Sequence, residues 1–575
     1  MIVDRRGALA LLSAAPVAAQ LGGLPPVTVF EARRIITMEP SLPLARFVAV
    51  ADGIIRGVAD TLAALEPWTS GRSVTVDRRF ARDVLMPGLI DPHVHPMQSA
   101  VMLNLPFIAP DDWTLPSGTY PGVRSATGYR TRLSQMLAAS PARPFITWGY
   151  HELFHGPLDR AALDALAPDR PVVVWQRSFH DVIVNSAALR EWKLEDKETF
   201  DASIAAAKGD PRHSDFAQGR FSETALPVAL ERMRGAILSP DKITSGMKAL
   251  KQMMLRSGVT TMSDMGTGIF AGFETEAQLI HAAFEQSGNP SRVMLMPMAM
   301  ALAGVADPVT WLRDVERRFA SPHVRVDRRV KMLADGAFFA QNMRMKAPGY
   351  SDGHLGKWIT EPDVLVAQFR RFWDAGFSLH IHVNGDEGLD VVLDGLATLP
   401  QRRMQTVTLE HLGFSSEAQN RRIAQLGLMV SAQPNYIRVL GDAYARTGLG
   451  PDRAATINRL GSLERKGVPL GLHSDFNMAP IDPLYLAWIA ANRITLDGNV
   501  HAPAERLSLD KALRAITIEA AQVIGMDHMV GSIAAGKKAD FTALNADPYA
   551  IGAARLREIA VLGVIFEGQV AERPG

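Results

Sequence analysis

The segment Asp91-Pro92-His93-Val94-His95 sets two imidazoles two residues apart. On a β-strand, residues i and i+2 point to the same side, so His93 and His95 could share one metal ion. Taken alone, the spacing also suits two polar residues on a sheet face. Other ligand types stand in similar settings further along. Lys331 lies in an apolar run, where a bare ammonium would be costly to bury. His380 and His382 occur in His380-Ile381-His382-Val383-Asn384-Gly385-Asp386, His411 follows Glu410, and Asp475 closes His473-Ser474-Asp475. The chain contains no cysteine. Disulfides, thiolate ligands and a cysteine nucleophile are therefore excluded, and a metal must rest on His, Asp, Glu or a modified Lys.

These residues need elements that hold them together. Eight apolar strand candidates cover 89–95, 259–264, 292–297, 330–335, 379–383, 407–411, 429–433 and 470–475, with helix-like stretches between most of them. Strands buried on both faces read as such runs, and eight is the number of an α/β (β/α)8 TIM-like barrel. The polar sites fall on the first, fourth, fifth, sixth and eighth runs, late in most of them, where barrel enzymes carry their chemistry. Independent structural histidines would rarely fall in that order. Strand-like pieces at 27–30, 47–50 and 54–57, and again at 561–568, predict a small β-sandwich built from both chain ends. The expected division is an export signal and linker over 1–26, sandwich over 27–86, barrel over 87–529 and sandwich again over 530–575. A cap is expected at about 101–250, with strands of its own at 145–148 and 172–175.

As a set, His93-x-His95, Lys331, His382 before Gly385-Asp386, Glu410-His411 and Ser474-Asp475 resemble the amidohydrolase superfamily. The nearest branch is amidohydrolase family 3, which includes N-substituted formamide deformylase. The approach Leu85-Met86-Pro87-Gly88 and the segment Gly531-Ser532-Ile533-Ala534-Ala535-Gly536-Lys537-Lys538-Ala539-Asp540 carry the same resemblance, which runs from about residue 27 onward. It implies two divalent ions, zinc above all, bridged by a carboxylated Lys331 and a hydroxide. His93 and His95 would bind one ion with Asp475, and His382 and His411 the other. Carboxylation turns a buried cation into an anionic ligand. Asp475 would take the proton of the bridging water, activated by the metal, and pass it to the leaving nitrogen. His180, in Ser178-Phe179-His180-Asp181, resembles a cap position that faces substrate; capping or packing is the alternative. His380 reads as a hydrogen-bonded core histidine. Two positions depart from the pattern: Gln341 stands near the family's arginine and His473 replaces a glycine.

The reaction implied is hydrolysis of a non-peptide carbon–nitrogen bond in an amide, formamide or N-acyl amine. Trp113, Trp148, Phe154, Trp175 and Phe179 suggest an apolar or aromatic small-molecule substrate, or alternatively a cap core. Ester or lactone hydrolysis, heterocycle deamination at one ion, and a non-catalytic binding protein are the alternatives. His151-Glu152-Leu153-Phe154-His155 also fits the zinc-protease pattern. That pattern works only on a helix, whereas the flanking strand-like 145–149 and Gly156-Pro157 predict a loop. With 61 basic against 60 acidic residues and no basic cluster interleaved with aromatics, nucleic acid is excluded as a partner. No apolar run after the N-terminus approaches the roughly 18 residues of a membrane helix. A homo-oligomer is compatible with the composition. Arg5-Arg6, the apolar stretch after Gly7 and the small residues up to Ala19 predict twin-arginine export to the periplasm, with a cytoplasmic enzyme as the alternative.

Overall fold

Near-continuous apolar runs can form strands that are covered on both faces, and eight of them do so here in parallel. In the computed structural model, which describes residues 24–572 apart from 287, 402 and 403, two all-parallel sheets form the centre. The first joins β1 (Leu89–Val94), β2 (Val259–Thr267) and β3 (Arg292–Pro297), with Val324–Val326 at its edge. The second runs in order through β4 (Arg329–Leu333), β5 (Ser378–Val383), β6 (Val407–His411), β7 (Met429–Ala432) and β8 (Leu470–Leu472). Isolated parallel bridges, Met298 to Lys331 and Val94 to Phe476, link the two sheets on both sides. Each strand contributes its C-terminal end to the same side, as parallel pairing requires.

Helices alternate with these strands and owe their limits to local chemistry. In Pro308–Phe319, Asp307 accepts hydrogen bonds from Val309 N and Thr310 N, proline takes the first position, and Pro308, Leu312 and Val315 are buried on one stripe. Glu417–Gln425 begins with a reciprocal capping box between Ser416 and Gln419. One apolar core runs through the parallel layers and the insertion, while the terminal strands carry smaller cores.

Both chain ends enter a single eight-stranded sheet. Its seam is Val84–Pro87, which pairs parallel with Val27–Ile36 and antiparallel with Phe541–Leu544. That strand leads directly into β1, so the terminal sheet anchors the start of the His93-x-His95 segment. Between β1 and β2 lies a separate five-stranded sheet made from Phe145–Tyr150, Val172–Gln176, Asp181–Val184, Ser214–Asp215 and Arg220–Ser222. Among the described residues no helix is long and apolar enough to cross a membrane. The Arg5-Arg6 export motif lies outside the described residues.

Candidate metal centre

Strand ends bring the chemistry-bearing residues into one cavity of about 620 Å³, lined by His93, His95, His180, Lys331, His382, His411 and Asp475 among others. His93 and His95 leave β1 with their rings 5.2 Å apart. Asp475 Oδ1 lies 3.2 Å from His95 Nε2 and 3.6 Å from His93 Nε2, and its Oδ2 lies 3.7 Å from His411 Nδ1. His93, His95 and Asp475 thus form one group able to hold an ion, and His93, His411 and His473 form a second. His382 has its ring 4.6 Å from that of His411 but belongs to neither group; its Nε2 accepts a hydrogen bond from Asn384 Nδ2 at 3.1 Å.

Backbone conformation explains how neighbours in sequence can share this space. Glu410 and His411 are consecutive, and a regular strand would send them to opposite faces. At φ 72° His411 leaves the strand conformation, and both residues reach His93: Glu410 Oε2 accepts from His93 Nδ1 at 2.7 Å and the His411 ring is 4.6 Å away. Asp475 is likewise left-handed, at φ 49°. Such conformations cost energy and concentrate at functional sites.

Behind the ligand types lies a layer that orients them. Glu410 is fully buried and bridges two imidazoles, accepting from His93 Nδ1 and from His380 Nδ1, each at 2.7 Å. The bond to His93 fixes its tautomer and leaves Nε2 as a free lone pair. His380 spends its second nitrogen on Arg329 at 3.3 Å, which satisfies it as a core residue. Burial above all, then the nearby cationic and imidazole groups, holds His93 well below its usual pKa, and burial likewise leads for His382 and His411. Neutral imidazoles beside a carboxylate suit a divalent transition ion. Burial alone would raise Asp475, but its hydrogen bond to His95 and the neighbouring positive groups hold it below the usual carboxylate value. Lys331 pairs in register with His380, is only 2% exposed, and its Nζ has no hydrogen-bond partner. An orphaned buried amine among ligand-type residues is what a site that binds a metal or carries a modification would leave. Glu410→Gln should weaken retention of a divalent transition ion by about 10- to 100-fold, since it removes the anionic partner of His93; equal affinity for added zinc in a chelator competition would show Glu410 to be a packing residue.

His180 stands across the cavity, its ring 6.0 Å from that of His382. Its Nδ1 donates to the buried carboxylate of Glu223 at 2.7 Å, and Asn342 Nδ2 donates to the other oxygen at 3.2 Å. Burial would lower His180, yet the Glu223 charge outweighs it and the pKa is raised. Glu223 carries no motif, and only the fold brings it to His180 across 43 residues. Of the five cap aromatics, Phe179 alone lines the cavity. Trp113, Trp148 and Trp175 are fully buried, and the first two stack edge-on at 5.8 Å, so these tryptophans are core. Apolar walls come instead from residues such as Leu226, Met265, Ile269, Met298, Phe338 and Phe339.

The His151-to-His155 motif does not assemble a zinc site. Only Glu152–His155 is helical, with His151 extended at its cap. His155 has both nitrogens engaged, Nδ1 accepting from His151 N at 3.0 Å and Nε2 bonding to Val123 O at 2.8 Å. Asp335 accepts from the backbone N–H groups of Arg344, Asn384 and Gly385 and so ties loops rather than facing substrate. Gln341 does not line the cavity.

Comparison with known proteins agrees with this geometry. A family model described as "Amidohydrolase family" matches residues 83–571. The putative amidohydrolase YtcJ of Bacillus subtilis is 24% identical over 541 residues, covering 91% of this chain and 95% of that one. The N-substituted formamide deformylase of Arthrobacter pascens is 32% identical over 203 residues, 35% of this chain and 38% of that one. A metal-dependent hydrolase from Pyrococcus horikoshii has a similar solved structure, with TM-score 0.67 and 19% identity over 91% of this chain and 98% of that one.

Proposed function

The chain belongs to the amidohydrolase family, hydrolases acting on carbon–nitrogen bonds, and on that premise we propose that it cleaves an apolar or aromatic amide, formamide or N-acyl amine. The observation that carries the reading is the meeting of His93, His95, His411 and Asp475 with His382 and Lys331 in one largely apolar cavity. The two bridged sheets are read as a (β/α)8 barrel, with the terminal strands as a sandwich and the insertion as a cap.

In this reading His93, His95 and Asp475 would hold one divalent ion, taken as zinc, and His382 and His411 would hold a second, with a carboxylated Lys331 as a further anionic ligand. When bound, such ions supply a water activated at neutral pH and polarise the scissile carbonyl. Asp475 Oδ1, ionised and 3.2 Å from His95 Nε2, accepts the water proton and returns it to the leaving nitrogen. His180, with Nδ1 committed to Glu223, is left with Nε2 for a polar atom of the substrate. Met265, Ile269, Met298 and Phe339 exclude water from the substrate's apolar part.

Purified protein loaded with zinc should turn over N-formyl or N-acyl amines with apolar substituents faster than esters or lactones, and a chelator should abolish that turnover. A screen in which only esters or lactones react would overturn the choice of bond. Elemental analysis is expected to give about two ions per chain, because five strand ends supply ligand types; a reproducible value near one with full activity would favour the single-ion arrangement of a deaminase.

A further inference from the structure

We propose that His473 is a further nitrogen ligand of this centre, sharing an ion with His93 and His411. The inference rests on the metal-dependent reading above and regroups its ligands: His93 and His411 would share one ion with His473, in place of the division that sets His411 with His382. His473 directly follows β8, and its N–H donates to Ala432 O at 3.0 Å, which fixes the backbone. The side chain is fully buried. Its ring lies 4.5 Å from His93 at 33° and 5.0 Å from His411 at 83°.

How the two ring nitrogens are used separates a ligand from a core residue. His473 Nδ1 is 2.7 Å from Ser431 Oγ, so one nitrogen has a fixed partner, as a ligating histidine's outer nitrogen does. His93 has the same arrangement, with Glu410 on Nδ1. The other nitrogen of His473, Nε2, faces only an imidazole, His411 Nδ1, at 3.1 Å. Two imidazoles on one tetrahedral zinc, each at about 2.0–2.1 Å, would have nitrogens about 3.3 Å apart. His380 supplies the contrast: it is equally buried, but its nitrogens go to Glu410 and Arg329 and none faces the cluster. Asp475 Oδ2, 3.7 Å from His411 Nδ1, supplies an anionic oxygen on the same side. Three imidazoles and one carboxylate select zinc or cobalt over magnesium or calcium.

Two measurements decide the matter. In crystals of the wild-type enzyme loaded with zinc, an anomalous peak should lie within about 2.3 Å of His473 Nε2. In a chelator competition, His473→Gly should weaken zinc binding by more than the roughly 10- to 100-fold that loss of an outer partner costs, and Ser431→Ala should fall within that smaller range. Zinc found on His93, His95 and Asp475 with His473 Nε2 hydrogen-bonded to His411 would overturn the inference and leave the hydrolase reading intact. A protein that takes up neither zinc nor cobalt would overturn the metal-dependent reading on which the inference rests.

Discussion

Asp475→Asn is expected to lower kcat by about 10²-fold or more while most of the bound metal stays in place. The argument begins at the backbone. Asp475 sits at φ 49°, a conformation that Asp and Asn tolerate better than other side chains with a β-carbon. Its N–H donates to His93 O at 3.0 Å, so the amide variant keeps the turn that brings the side chain to the cavity. One amide oxygen can still face His95 and His93. What disappears is the negative charge and the capacity to take a proton. Burial works against that charge, and the hydrogen bond to His95 and the charges around it restore it, so the native carboxylate is ionised at neutral pH and ready to accept. Turnover and metal content should be measured on the same preparation. Near-normal kcat in a variant with full metal would remove Asp475 from proton transfer.

Runs of buried aliphatic residues make the central strands legible in the sequence alone. All eight expected segments overlap parallel strands, and 292–297 and 407–411 coincide with β3 and β6. Apolarity on both faces is a strong local signal. The seam strand Val84–Pro87 and its partner Phe541–Leu544 were not separable from their surroundings, because only pairing across the whole chain defines them. The ligand types were legible for a similar reason: imidazoles late in apolar runs stand out. Their grouping was not. The family resemblance sets His411 with His382, and φ 72° at His411 and the position of His473 also bring His411 together with His93 and His473. Glu410 appeared only as a neighbour of His411, since its bridge between His93 and His380 depends on the register of β5 against β6. For the cap aromatics the sequence leaves substrate contact and core packing equally open. Large rings mark burial at least as often as binding, and here the three tryptophans pack in the core.

Carboxylation of Lys331 is expected to govern metal loading. The residue lies in β4 between Val330 and Met332, all three buried. No Asp or Glu occurs within β4. A structural lysine would need a carboxylate partner, and the obvious one, Glu410, has its two oxygens committed to His93 and His380, leaving Nζ without a hydrogen bond. Burial, opposed by the charges of Glu410 and Asp475, brings the lysine pKa down to about 8. Roughly one amine in ten is then neutral at pH 7, against roughly four in ten thousand for an unperturbed lysine near 10.4. Only the neutral amine attacks carbon dioxide: its lone pair forms the new nitrogen–carbon bond, one proton leaves, and a carbamate anion results. An ammonium would repel divalent ions; a carbamate offers them two oxygens. Protein stripped of metal should therefore regain zinc and activity faster when bicarbonate is added with the metal. Lys331→Ala should lose metal, while Lys331→Glu, which restores an anion at shorter reach, should keep part of it. Recovery that ignores bicarbonate, or an intact ammonium at Lys331 in high-resolution density of active zinc-loaded enzyme, would end the proposal.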